Sequence, residues 1–222
     1  AVGERKEAGG VQFCPIPAGD FVMGSTDDNS LAFGDEKPRH TVSIPYEYWI
    51  GRYPVTNAQF RLFKQANPDY RTTAEKEGSA YIWNGKEWKD TKGADWQHPH
   101  GPESDLEGKE DHPAVCLSWL DGREYCRWLT KAHGKELPEG WHFRLPSEAE
   151  WETVARHESV HGNLRETGYL QPVPAPDTAS PAQLFGDVWE WTRSTYAPYP
   201  GYRPAVGALG EYNGKFMLNQ LV

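Results

Sequence analysis

His157, Glu158 and His161 stand in an H-E-x-x-H arrangement. On a helix that spacing puts two imidazoles on one face for zinc and leaves the carboxylate as general base. The chemistry also needs a third ligand and a helix that continues. Gly162 and Asn163 follow at once, a helix-ending pair, so a surface helix end is expected rather than a zinc protease. His98-Pro99-His100 offers two more imidazoles, a ligand type suited to zinc, copper or iron. No cysteine or carboxylate cluster stands beside it at ligand spacing, and it reads as a polar loop. Cys116 and Cys126 flank a helix start, where a thiolate can be stabilised. Both sit among apolar residues (Val115-Cys116-Leu117 and Tyr125-Cys126-Arg127-Trp128), so buried, inert thiols are expected. No phosphate-binding glycine loop and no Gly-x-Ser-x-Gly elbow occurs.

The residues that would position such groups are aromatic. The chain has 222 residues with 10 Trp and 11 Tyr, and each large ring can bury roughly 150–250 Å². A loop-rich single domain is expected. The net charge of −9 argues against nucleic acid as a partner, because phosphate binding needs clustered Lys and Arg. No stretch approaches the apolar length of a membrane span, so no membrane partner is expected. Three widely spaced cysteines do not form a disulfide framework, which fits a reducing cytoplasm or an incomplete secreted domain, and a cytoplasmic location is expected.

Residues 1–10 are polar and are expected to be disordered. Short strands are predicted over Val11–Ile16, Asp20–Met23, Thr41–Ile44 and Tyr46–Tyr53. Three capping boxes predict helices: Thr56 with Gln59, Ser118 with Asp121, and Ser147 with Glu150. They should reach about Gln65, His133 and His157, with Gly134 as a C′ glycine. Residues 67–112 show no clear period, apart from a hairpin signal at Tyr81–Trp88, where Asn84-Gly85 suits a type I′ turn. Val188 to Trp191 alternate like a strand with a large buried face. The class is α+β with little regular secondary structure.

Two stretches are specific enough to indicate a family. Arg144-Leu145-Pro146-Ser147-Glu148-Ala149-Glu150-Trp151-Glu152 and Gly186-Asp187-Val188-Trp189-Glu190-Trp191-Thr192 together resemble the formylglycine-generating enzyme, or sulfatase-modifying factor, family. Supporting segments follow in the family's order. They include Ile16 to Gly24, Asp35 to His40, Tyr53-Pro54-Val55-Thr56-Asn57, Gly93 to Pro99 and His112 to Trp119. The resemblance covers residues 11–222 and implies a C-type-lectin-like α+β scaffold. Residues 182–220 are more similar to the corresponding domain of the ergothioneine-pathway sulfoxide synthases.

The resemblance implies an oxygen-dependent oxidoreductase acting on cysteine thiols, with a small thiol or a cysteine-containing peptide as substrate. In formylglycine-generating enzymes the copper-binding cysteine pair follows an Arg-Gly-Gly-Ser segment, and in sulfoxide synthases the iron-binding histidines lie on a separate helical domain. Neither set has a counterpart here. Cys126 resembles a family cysteine whose partner lies in that later segment, so a free thiol is expected. Copper or iron would therefore require added segments, and the expectation is a domain cut short at its C-terminal end and inactive alone. An exposed C-terminal sheet edge would then favour self-association. A non-catalytic ligand-display module is the other reading of the same scaffold. Two structural calcium sites are implied, one from Asn163 and Asp177, the other from Gln183, Glu190 and the carbonyls of Gly186 and Val188. Trp189, Arg193, Tyr196, Tyr199, Tyr202 and Arg203 are the substrate-pocket candidates, with arginine suited to a carboxylate.

Overall fold

A hydroxyl side chain starts every α-helix among the described residues. The computed structural model describes residues 6–30, 32, 36–178, 180–197 and 199–201. Thr56 caps α1 (Asn57–Ala66), Ser118 caps α3 (Trp119–His133) and Ser147 caps α4 (Glu148–Ala155), each in a reciprocal capping box. A fourth box, Thr72 with Glu75, opens α2 (Thr73–Glu77) inside the stretch that lacked a period. Each box satisfies helix-end amides that would otherwise have no partner.

The strands are short, and they form small antiparallel sheets. β1 (Lys6–Ala8) and β2 (Val11–Ile16) pair with Ala8 opposite Val11. This corrects the expectation of disorder for that part of residues 1–10. Gly9 and Gly10 both take positive φ, 60° and 72°, which is the backbone a two-residue hairpin turn needs. The buried Ala8 and Val11 side chains then hold the pair. β5 (Tyr48–Gly51) joins the same sheet beside β2. β3 (Gly19–Met23) pairs with β4 (His40–Ile44), with Phe21 opposite Val42. β6 (Ser79–Trp83) pairs with β7 (Trp88–Lys92).

Three local expectations change. The β6–β7 connection is a four-residue loop, because Trp83 pairs with Trp88. The Asn84 side-chain oxygen accepts from the amides of Lys86 and Glu87 at 2.9 and 3.0 Å, and this Asx turn replaces the two-residue type I′ form. Gly134 ends α3 in the right-handed region at φ −58°, because the chain continues into a 3₁₀ turn at Gly134–Glu136. Val188 to Trp191 form no strand. Trp189 is 91% exposed and Trp191 43% exposed, so alternation there did not produce a buried face.

The chain divides into two compact units. The first comprises Ala1–Pro15, Trp49–Leu145 and Ser159–Glu190, the second Ile16–Tyr48, Pro146–Glu158 and Trp191–Val222. The first unit's core gathers Val11, Phe60, Phe63, Trp96, Leu106, Tyr125 and Leu129, with Val55 packed against it. Phe60 meets Trp96 edge-on at 5.3 Å, and Phe63 meets Tyr125 edge-on at 5.9 Å between ring centroids, the arrangement that ring quadrupoles favour. In the second unit Phe21, Met23, Ile44, Tyr48, Val154 and Ala155 are buried. Tyr48 ties β5's start to α4 by donating to Glu150 O at 2.7 Å.

Candidate functional site

In the second unit a pocket of about 440 Å³ opens at the start of α4. Its lining takes Ser147, Glu148 and Ala149 from that helix start, Met23 from β3, and Arg193, Ser194, Thr195, Ala197 and Tyr199 from the loop after Trp191. The loop is pinned at its base. Arg193 N donates to Pro146 O at 2.8 Å, and Glu148 N donates to the Ser194 hydroxyl at 3.0 Å. The Ser194 side chain thus satisfies one of the helix-start amides.

The pocket carries opposite charges. Tyr199 donates its phenolic hydrogen to Glu148 Oε1 at 3.3 Å. Burial pushes Glu148 above the ordinary carboxylate range, and the Glu152 charge adds to it against Tyr199 and His40. Burial raises Glu152 as well. Tyr199 is raised by burial and by these carboxylates. His40 meets Tyr199 ring to ring at 4.7 Å. Its Nδ1 lies 2.9 Å from Pro38 O, and a carbonyl only accepts, so Nδ1 carries the proton. Gly24 completes the neighbourhood at φ +83°; a Cβ there would sit 2.9 Å from Glu36 O and 3.1 Å from the Tyr199 ring, so only glycine fits.

Of the pocket residues expected from sequence, Arg193 and Tyr199 line this cavity and Tyr196 does not. Trp189 belongs to the other unit and is exposed. Tyr202 and Arg203 lie outside the described residues. Sequence reading missed Glu148, Glu152 and His40. The signal was present as two glutamates four apart on α4, one helical face, but the segment read as scaffold.

The residues expected to bind calcium fall in the first unit, and the oxygens of Asn163, Asp177 and Gly186 have protein partners. Thr167 donates its hydroxyl to Asn163 Oδ1 at 2.6 Å, while Asn163 Nδ2 donates to Gln171 O at 2.7 Å and Asp187 Oδ1 at 3.0 Å. Asp177 accepts from Arg52 Nη2 at 2.8 Å. Gly186 O accepts from Val188 N at 2.7 Å, and Gln183 Nε2 donates to Val173 O at 2.8 Å. The Arg52 guanidinium is already the cation beside Asp177. This arrangement does not fit the Asn163–Asp177 calcium site. Gly186 is required by packing: φ is +83° and a Cβ would meet the Asn163 backbone at 2.7 Å.

Every His and Cys of the chain lies among the described residues. Among these residues no group of three or more His, Cys, Asp or Glu side chains is placed to hold a metal. His157 to His161 lie beyond the end of α4 in exposed turns, and His98 hydrogen-bonds to Asp95 at 3.1 Å. All three cysteines are free. Burial pushes the Cys116 thiol up to about 11 and the Cys126 thiol up to about 12. The residues present therefore do not fit a copper or iron centre of that size. No helix among the described residues is long and apolar enough to cross a membrane.

With this geometry in hand, comparison places the chain among known proteins. The family model described as "Sulfatase-modifying factor enzyme 1-like domain" matches residues 2–179. The formylglycine-generating enzyme of Bos taurus is 29% identical, over 90% of this chain and 62% of that protein. This chain thus spans less than two thirds of that relative's length. The hercynine oxygenase of Mycolicibacterium smegmatis is 30% identical, over 86% of this chain and 47% of that protein. The structure of PvdO from Pseudomonas aeruginosa superposes with a TM-score of 0.58 at 23% identity, covering 83% of this chain and 71% of that one. It shares the expected fold class, mixed helix and sheet with few regular elements. By its sequence match and its fold, the chain belongs to the sulfatase-modifying factor enzyme 1-like domain family.

Proposed function

We propose that this chain is the substrate-recognition domain of an oxygen-dependent oxidoreductase acting on cysteine thiols. The observation that carries the reading is the family match across residues 2–179, joined to a polar pocket that holds Arg193 and Tyr199. Arg193 would take the substrate carboxylate, since guanidinium and carboxylate match in two parallel hydrogen bonds. Tyr199 and Glu148 would hold the opposite side. Copper or iron, the metals implied by the resemblance, would need ligands from outside this chain. The acidic balance of the chain favours a small thiol or cysteine peptide over nucleic acid, in the cytoplasm. Similarity to a hercynine oxygenase supports ergothioneine-type sulfur chemistry as the finer form of this reading.

A second reading is a non-catalytic binding module on the same scaffold, favoured by the absence of a metal-ligand group among the described residues. Mass spectrometry of cysteine and a cysteine peptide, incubated in air with the chain and added copper or iron, tests the proposal alongside a binding titration. Binding of the thiol with oxidation no faster than in protein-free controls is expected. Failure of every thiol to bind would overturn the reading in favour of the module.

A further inference from the structure

Two side chains of opposite charge, Glu148 and Arg193, line the pocket at the start of α4, and no ion pair joins them. Among the described residues the Glu148 carboxylate has one hydrogen-bond partner, the Tyr199 hydroxyl at 3.3 Å. A carboxylate can accept about four hydrogen bonds, so most of its capacity is unused. Its partial burial and the Glu152 charge both work against its ionised form. A bound cation would relieve that cost. The exposed Arg193 side chain makes no hydrogen bond or ion pair among the described residues. Its backbone, however, is fixed by Pro146 O at 2.8 Å. Glu148 and Arg193 share one cavity without pairing with each other.

The rest of the lining suits a short ligand. Met23, the buried last residue of β3, and the small side chains Ala149 and Ala197 give an apolar patch. Ser147, Ser194 and Thr195 add hydroxyls. The Tyr199 ring beside Glu148 adds a π face, to which an ammonium is attracted. A volume of about 440 Å³ lies in the range of small-molecule sites.

We propose that this pocket recognises a small zwitterion of the free α-amino-acid type, with its ammonium on Glu148 and Tyr199 and its carboxylate on Arg193. The inference rests on the reading under Proposed function for the identity of the site, and narrows its substrate to a free amino acid rather than a residue inside a peptide. Both charges of the ligand are then read at once, which a peptide-internal cysteine cannot satisfy.

Isothermal titration of the whole chain tests this with five ligands: L-cysteine, N-acetyl-L-cysteine, cysteamine, L-alanine and a terminally blocked cysteine peptide. L-cysteine should bind at least about tenfold more tightly than the N-acetyl form, cysteamine and the blocked peptide, as loss of one charge-assisted contact implies. In Glu148→Gln the preference over N-acetyl-L-cysteine should vanish, and in Arg193→Gln the preference over cysteamine should vanish. Equal affinity for L-cysteine and the N-acetyl form, or no binding of any ligand, would overturn the zwitterion inference. Equal affinity for L-cysteine and L-alanine would leave the zwitterion pocket standing and remove support for the thiol reading. The ligand series on the unaltered chain decides the matter even if a variant fails to fold.

Discussion

Tyr199 donates to Glu148 Oε1 across 3.3 Å, so the loop after Trp191 is tied by a side chain to the first turn of α4. The bond has an electrostatic setting. Glu148 and Glu152 lie one helical turn apart, both are raised by burial, and each carries the charge of neighbours: His40, with Arg156 and Glu36 beside Glu152.

That pair sets a pH dependence. Folded-state values above the ordinary carboxylate value mean that the folded chain holds protons the unfolded chain has lost. The stability they contribute is complete below the ordinary Glu range and is lost as pH rises through the raised values. Glu152→Gln should therefore be near neutral at low pH. At pH ~8 it should be stabilising, seen as a higher melting temperature than that of the unaltered chain. Thermal melts across that range measure it, and a pH-independent difference would count against the assignment.

Asp121 should be among the costliest polar positions. It is fully buried and accepts from Tyr70 Oη at 2.7 Å, Ser118 N at 2.8 Å and the Ser118 hydroxyl at 2.7 Å. It also receives Thr73 N at 3.2 Å, joining the start of α2 to that of α3. Asp121→Ala leaves several buried donors unsatisfied and should cost about 3–4 kcal/mol. Ser118→Ala, which removes the cap, should cost about 1–2 kcal/mol. Urea titrations of the two variants give the comparison.

Arg52 should matter more to stability than calcium. It is 2% exposed and donates to Gln12 Oε1 at 2.7 Å as well as to Asp177 at 2.8 Å. Arg52→Met should cost about 2–3 kcal/mol, the range for hydrogen bonds to charged groups. Asp177 is 87% exposed, and Asp177→Asn should cost no more than ~1 kcal/mol because solvent screens the pair. Millimolar calcium should leave the melting temperature unchanged. A calcium-dependent rise that disappears in Asp177→Asn would show that the ion displaces the guanidinium.

The thiols should alkylate slowly. Raising Cys116 from the ordinary 9.0 to about 11 lowers its thiolate fraction about 100-fold. Cys126 should be slower still at about 12. Iodoacetamide labelling at neutral pH, followed by peptide mass mapping, should show both well behind free cysteine.

The parts of this structure legible in the sequence are those with a local cause. A Ser or Thr three residues before a Gln, Asp or Glu fixed the starts of α1, α3 and α4, because the two side chains satisfy helix-end amides within one turn. The same box at Thr72 and Glu75 was hidden, since α2 has five residues and is too short to show a period. Val188 to Trp191 misled for the opposite reason. Alternation indicates a strand only where a neighbouring strand supplies partners, and that information is not local. The pocket was half visible: Arg193 and Tyr199 stand in one loop, but Glu148 is 51 residues from Tyr199, and only the fold brings them together.

The central claim is that this domain carries recognition without assembling a redox-metal cluster from its own His and Cys. Anaerobic equilibrium dialysis against copper(I) or iron(II), followed by elemental analysis of the chain, tests it most directly. Retention well below one ion per chain, unchanged in Cys116→Ser and Cys126→Ser, is expected. One tightly held ion per chain, lost in either variant, would contradict the claim.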